Sequence, residues 1–188
     1  MKHIIIINGS GGCGKSTFVS YCKEAIKEKG IACCSSLPCE VIELSSVDFV
    51  KEVATYCGWN GRKEEKDRTF LYDMKTALAK WDDVPNKKVI EAIDAIDDKN
   101  INWFIFVNIR EIDAIESFIR ICKERNLSYQ TLLIENHNKP IITSNEADAN
   151  VKNFKYDNII FNDFDLQILK LLAFNYMKNT ILELNIGN

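Results

Sequence analysis

Gly9-Ser10-Gly11-Gly12-Cys13-Gly14-Lys15-Ser16 follows directly on the apolar run His3-Ile4-Ile5-Ile6-Ile7-Asn8 and leads directly into a helical pattern. It fits G-x-x-x-x-G-K-[ST], the phosphate-binding loop signature, in the strand, turn and helix context that the signature requires. Glycines at 9, 11, 12 and 14 let the backbone turn with positive φ and bring its N–H groups against phosphate oxygens with no Cβ in the way. Those amides and the positive end of the following helix form an anion cradle, whose candidate members are Gly11, Gly12, Cys13, Gly14, Lys15, Ser16 and Thr17. Lys15 is a point charge suited to β- and γ-phosphates, and the Ser16 hydroxyl is placed to ligate Mg²⁺. The implied ligand is a nucleoside triphosphate with its metal, hence ATP and Mg²⁺. Cys13 is a variable position of the signature, and its side chain is assigned no chemistry.

Composition sets the bounds. With 188 residues and 46% hydrophobic content, residues 1–188 suffice for one well-packed domain. A net charge of -3 gives no broad basic field, so no nucleic-acid partner is expected, although a local patch is left open. No apolar run approaches the ~18 residues of a membrane span. Met1-Lys2-His3 leads straight into a strand, which is not the shape of a signal peptide, and the expectation is a cytoplasmic chain with no membrane partner. The seven cysteines, at 13, 22, 33, 34, 39, 57 and 122, contain no C-x-x-C pair. Cys33, Cys34 and Cys39 read as small buried hydrophobes in a reducing compartment, with a metal or redox group as the alternative.

Beyond the loop, Phe18, Val19, Cys22, Ala25 and Ile26 recur at helical spacing up to Gly30. Residues 40–44 read as the second strand and 47–56 as a helix, ended by the turn Cys57-Gly58-Trp59-Asn60-Gly61. Phe70, Leu71, Met74, Leu78 and Trp81 make an apolar stripe on a helix over about 67–82, and a shorter helix follows Pro85. Trp103 to Val107 is a continuously apolar strand covered on both faces; Ile112, Ile115, Ile119 and Cys122 mark the next helix. Strands over 131–134 and 156–161 flank a polar loop, 135–152, and a last helix over about 163–178 is apolar nearly all round. The tail Leu182-Glu183-Leu184-Asn185-Ile186 alternates like a strand, fitting a sheet edge or, in a homodimer, another copy of the chain. The alternation of strands and helices predicts an α/β fold of three layers, a mostly parallel five-stranded sheet with right-handed crossovers, and a helical insertion over 47–98.

Absent strings narrow the chemistry. The chain has no D-x-x-G switch, no N-K-x-D guanine motif and no L-S-G-G-Q-like segment, and its third strand ends in Asn108 where a metal-ordering aspartate is expected. Four stretches carry a resemblance: 9–16; Ser46 to Lys51 leading through Gly58-Trp59-Asn60-Gly61 to Asp67-Arg68-Thr69-Phe70-Leu71; Asn108-Ile109-Arg110-Glu111; and Ser144-Asn145-Glu146 running on to Asn162. In these the chain resembles the nucleoside and nucleotide kinase branch of the P-loop NTPase fold, and within it the adenylate kinase-like deoxynucleoside monophosphate kinases. That resemblance implies an ATP-dependent phosphotransferase with a small phosphate-bearing acceptor. It implies substrate-side positions for Lys51, Arg62 and Arg68, a place facing the phosphates for Arg110, and a lid or base-side loop over 136–150; Asp48 is a further substrate-binding candidate, on the chemistry given below. The sequence departs from the family at Asn108 and at Glu135-Asn136-His137-Asn138-Lys139, where an arginine-bearing lid segment is expected.

Elementary chemistry agrees with a phosphate acceptor. Its attacking oxygen is already anionic and needs no general base; it needs cations that hold two repelling phosphate groups in line. Lys15 and Arg110 are the catalytic candidates, with an ion pair to Glu111 or Asp113 as the alternative for Arg110 and plain surface charge as the alternative for Arg62 and Arg68. Two other readings stay open. A hydroxyl acceptor would need a carboxylate near the end of the second strand, where Asp48 lies close by, although Asp48 is equally explained as a helix-dipole partner. An ATP-binding regulatory protein with little turnover would need none.

Overall fold

The four consecutive isoleucines Ile4–Ile7 are all fully buried, which places them on a central strand with both faces covered. The computed structural model describes residues 1–28, 31, 37–62, 64–97, 99–138 and 151–186. Its strands are β1 (Lys2–Asn8), β2 (Cys39–Ser45), β3 (Asn102–Asn108), β4 (Ser128–Glu135) and β5 (Asn158–Phe161). They form one five-stranded sheet in the order β2-β3-β1-β4-β5. β1 pairs in parallel with β3, Ile7 opposite Asn108, and with β4, Asn8 opposite Leu133; β4 pairs in parallel with β5.

The chain divides into two compact units, Met1–Glu43 with Asp97–Asn188, and Leu44–Ile96. In the first, α1 (Lys15–Ala25) and α6 (Leu166–Ile186) pack on each other and share one core with a face of the sheet. Phe18, Val19, Cys22, Leu169, Ala173 and Met177 meet Ile5, Ile7, Phe104, Phe106, Leu132 and Ile134 there. The alternate strand residues Ile4, Ile6, Ile105 and Val107 point to the opposite face and are equally buried. α5 (Ile112–Glu124) buries Ile115, Phe118 and Cys122 and touches β4. The second unit consists of α2 (Asp48–Tyr56), α3 (Glu65–Asp82) and α4 (Val84–Asp94), which pack on one another. Its buried positions include Val50, Ala54, Val89, Ile90 and Ile93.

Three expectations change. The tail is not a strand: α6 continues without a break to Ile186. Ile181 and Leu184 follow Met177 at spacings of four and three, so they extend the buried stripe of a helix, and a five-residue alternation is too short to compete with it. α6 also buries one face only, because Leu166, Ile168, Leu171 and Leu182 are exposed. The α3 stripe is likewise not a core stripe, since no α3 residue is buried and Trp81 is 78% exposed. α3 begins at a capping box in which Glu64 and Asp67 each accept the other's backbone N–H. No helix among the described residues is long and apolar enough to cross a membrane. Gly30, Cys33, Cys34 and residues 139–150 of the expected lid-like loop lie outside the described residues.

Candidate functional site

The phosphate-binding loop leaves the carboxyl end of β1 and enters α1. Its backbone is held from several sides. The buried Asn8 side chain accepts from Gly9 N at 2.7 Å, and its amide donates to the Arg110 carbonyl at 3.1 Å and to Tyr156 Oη at 2.7 Å. Tyr156 Oη donates in turn to the Val151 carbonyl at 3.1 Å, and burial pushes its phenol up to about 12. From β5 the Asn162 amide donates to the Cys13 carbonyl at 2.9 Å, while Asn162 N donates to the Glu135 carbonyl at 2.7 Å.

Two glycines are required by this geometry. Gly14, the N-cap of α1, has φ 103° and a left-handed backbone, and a Cβ there would collide with Asn162 Nδ2. Gly9 has φ 147°, and a Cβ would strike the Ile134 carbonyl oxygen. Gly12 also has positive φ, whereas Gly11 is not among the residues that do, so only part of the glycine run is demanded by backbone conformation.

The α1 N-terminus carries no side-chain cap and no acidic residue in its first turn. A helix start of this kind, with the positive end of its dipole facing the loop and no carboxylate beside it, attracts an anion. Lys15 Nζ folds back to donate to the Gly9 carbonyl at 2.5 Å and the Ser10 carbonyl at 3.0 Å, which keeps its charge over the loop. Cys13 is buried, with Lys15 Nζ 3.7 Å from its sulfur; Ser16 and Thr17 are exposed on the first turn of α1.

Sequence reasoning missed Glu43. This residue of β2 accepts at Oε1 from the Ser16 hydroxyl at 3.2 Å and from Asn108 Nδ2 at 2.8 Å. The loop serine, a carboxylate and the third-strand asparagine thus form one chain of hydrogen bonds from the start of α1 to β2 and β3. Oxygen donors of this kind suit Mg²⁺, which takes a carboxylate or two beside phosphate oxygens and water. The signal in the sequence was a carboxylate near the carboxyl end of a predicted strand beside the one that ends at Asn108.

Arg110 is exposed, two residues beyond β3, and its carbonyl is tied to Asn8. The four substrate-side candidates all belong to the helical unit. Asp48 is the first residue of α2, accepts from Ser45 N at 2.8 Å and pairs with Lys51 at 3.4 Å. Arg62 pairs with Glu64 at 3.6 Å, and Arg68 is exposed on the first turn of α3. These exposed pairs contribute little to stability.

Beside the loop, past the end of β4, His137 joins two carboxylates: Nδ1 lies 2.7 Å from Asp163 Oδ2 and Nε2 lies 3.4 Å from Glu135 Oε2. Its ring stacks on Phe161, with centroids 5.5 Å apart. Hydrogen bonds from the His137 side chain and backbone hold the Asp163 carboxyl below the usual range. Among the described residues no group of three or more His, Cys, Asp or Glu side chains is arranged to hold a metal ion. Burial pushes the Cys122 thiol up to about 12 and the Cys22 thiol higher still, so both are packing residues and not nucleophiles.

No family model and no curated protein matches the sequence. Solved structures do. The tunicamycin resistance protein of Deinococcus radiodurans is 12% identical with a TM-score of 0.52, over 94% of this chain and 95% of that one. APE1195 is 10% identical with a TM-score of 0.53, over 96% and 97% of the two chains. A mutant of the APS kinase CysC of Mycobacterium tuberculosis is 8% identical with a TM-score of 0.47, over 94% and 97%. At such identities the likeness concerns the fold. With the sheet order and the loop after β1, it gives this chain an α/β fold shared with the first two of these proteins, with the phosphate-binding loop signature after the central strand β1.

Proposed function

We propose that this chain transfers the γ-phosphate of Mg-ATP to a small phosphate-bearing acceptor, with (deoxy)nucleoside monophosphates as the acceptor class. The observation that carries this reading is the loop over residues 9–16, with Lys15 folded over it and an uncapped, acid-free α1 N-terminus beneath it. Such a cradle binds the donor phosphates through fixed amides, and Lys15 neutralises charge that develops on the transferred group. Arg110 joins Lys15 as the second cation at the phosphates. Asp48, Lys51, Arg62 and Arg68 serve the acceptor.

The test is a panel of nucleoside monophosphates incubated with Mg-ATP. ADP should appear only when an acceptor is present; equal release of ADP without any acceptor overturns the reading.

Glu43 favours one second reading. A carboxylate at the end of β2 is what a hydroxyl acceptor needs for orientation and deprotonation, and Glu43 approaches Ser16 where Asp48 was expected to serve. A panel of hydroxyl-bearing metabolites separates this from the first.

A further inference from the structure

We infer that Glu43 is the carboxylate of the nucleotide-metal site, carried on β2 in place of the aspartate that β3 lacks, and that Asn108 is the neutral residue that positions it. The inference rests on the nucleotide reading of residues 9–16 and deepens it.

Sheet order sets which strand ends can reach the loop. β3 lies beside β1, so residue 108 stands next to the loop-bearing strand, opposite Ile7. A carboxylate there would be one strand away from the loop. β2 is one strand further out, about 4.8 Å in the hydrogen-bonding direction. Glutamate is one methylene longer than aspartate, and Glu43 does span the distance, since its Oε1 meets the Ser16 hydroxyl at 3.2 Å. Ser16 is the residue the loop signature offers to Mg²⁺. Serine hydroxyl and carboxylate are therefore already neighbours.

Asn108 explains how the carboxylate is held. Its amide donates to the same Oε1 at 2.8 Å. An aspartate at 108 would set a second negative charge against Glu43, and two carboxylates in contact resist joint ionisation. An asparagine supplies a donor where the aspartate would repel. The other Glu43 oxygen makes no hydrogen bond among the described residues, which leaves it for a metal or a metal-bound water. Glu43 and Asn108 thus replace one aspartate with a carboxylate and its positioning amide.

The experiment measures binding of ADP by calorimetry with and without Mg²⁺, and binding of Mn²⁺ in the presence of ADP by electron paramagnetic resonance. Wild type should bind ADP more tightly with metal. Glu43→Gln, which keeps shape and removes charge, should cut the metal-dependent gain roughly 10–100-fold while metal-free ADP binds equally or more tightly. Glu43→Gln combined with Asn108→Asp returns a carboxylate to β3 and should restore most of the gain and the Mn²⁺ signal. Glu43→Asp, too short to reach, should lose most of the gain and serves if the glutamine variant does not fold. A full metal-dependent gain in folded Glu43→Gln overturns the assignment, and abolished transfer alongside that gain gives Glu43 to a hydroxyl acceptor instead. Wild type that binds no nucleotide with or without metal overturns the phosphate-site reading, and this assignment falls with it.

Discussion

Asn162 Nδ2 donates to the Cys13 carbonyl at 2.9 Å, across 149 residues of sequence, and so ties the first residue past β5 to the middle of the phosphate-binding loop. The same side chain stands where a Cβ on Gly14 would have to go. One amide therefore both braces the loop and sets the space in which it turns. A loop whose N–H groups must converge on phosphate gains affinity when its shape is fixed before the ligand arrives.

Asn162→Ala removes this brace and leaves the Cys13 carbonyl without it. A hydrogen bond of this kind contributes about 1 kcal/mol. Nucleotide affinity should fall by roughly fivefold to tenfold, with a melting temperature lower by about 2–4 °C. Calorimetry with ADP and a thermal scan check both, and unchanged affinity would show that the loop holds its shape without Asn162.

Gly14→Ala adds a single methyl group at φ 103°, where it meets Asn162 Nδ2. Left-handed backbone costs a non-glycine residue about 1–2 kcal/mol, and the clash adds to that. Stability should drop by about 2 kcal/mol or more and nucleotide binding should be lost. A Gly58→Ala control separates the two contributions, because Gly58 has φ 92° but open space around it, so only the conformational cost should appear.

Lys15→Ala removes the charge folded over the loop. Wild type at a nucleotide concentration of about 100 Kd gains about 2.7 kcal/mol of stability by mass action. The variant should lose most of that gain while keeping most of its unliganded stability, since Lys15 is half-buried and its ammonium donates to the loop's own Gly9 and Ser10 carbonyls. Thermal shift with ADP and Mg²⁺ reads it directly, and an equal shift in wild type and variant would remove Lys15 from the phosphate site.

Local features were legible in the sequence and distant ones were not. The loop, α1 and the buried β1 and β3 announce themselves within a dozen residues each, because periodicity and glycine placement act over that range. Glu43 did not. Its contacts with Ser16 and Asn108 depend on β2 standing beside β3, a neighbour relation fixed by packing of the whole sheet, and Asp48 drew attention only because it lies five residues on. Asn8, Tyr156 and Asn162 brace the loop through contacts about 100 to 150 residues apart, which no spacing rule reaches. The C-terminal tail misled because Leu-x-Leu-x-Ile satisfies period two, while its continuity with the Met177 and Ile181 stripe was the stronger signal.

His3 ties stability to pH. It lies buried on β1 with Nδ1 2.7 Å from Ser128 Oγ, and Nε2 is buried with no hydrogen-bond partner among the described residues. Burial pushes its imidazole from 6.5 down to about 4. Protonation would place a charge beside Phe104, whose ring meets the imidazole edge-on with centroids 6.1 Å apart, so the folded chain resists it. Between those two values the unfolded chain binds the proton and the folded chain does not. Stability is therefore full above about 6.5 and is lost as pH falls towards about 4. From about pH 7.5 to about pH 5 the loss is about 2 kcal/mol, at about 1.4 kcal/mol for each pH unit below 6.5. Urea unfolding of wild type and His3→Gln at both values isolates it, because every other titrating group is common to the two proteins. The stability difference between them should narrow by about 2 kcal/mol at the lower pH, and a difference that stays constant would mean that His3 is not held neutral by the fold.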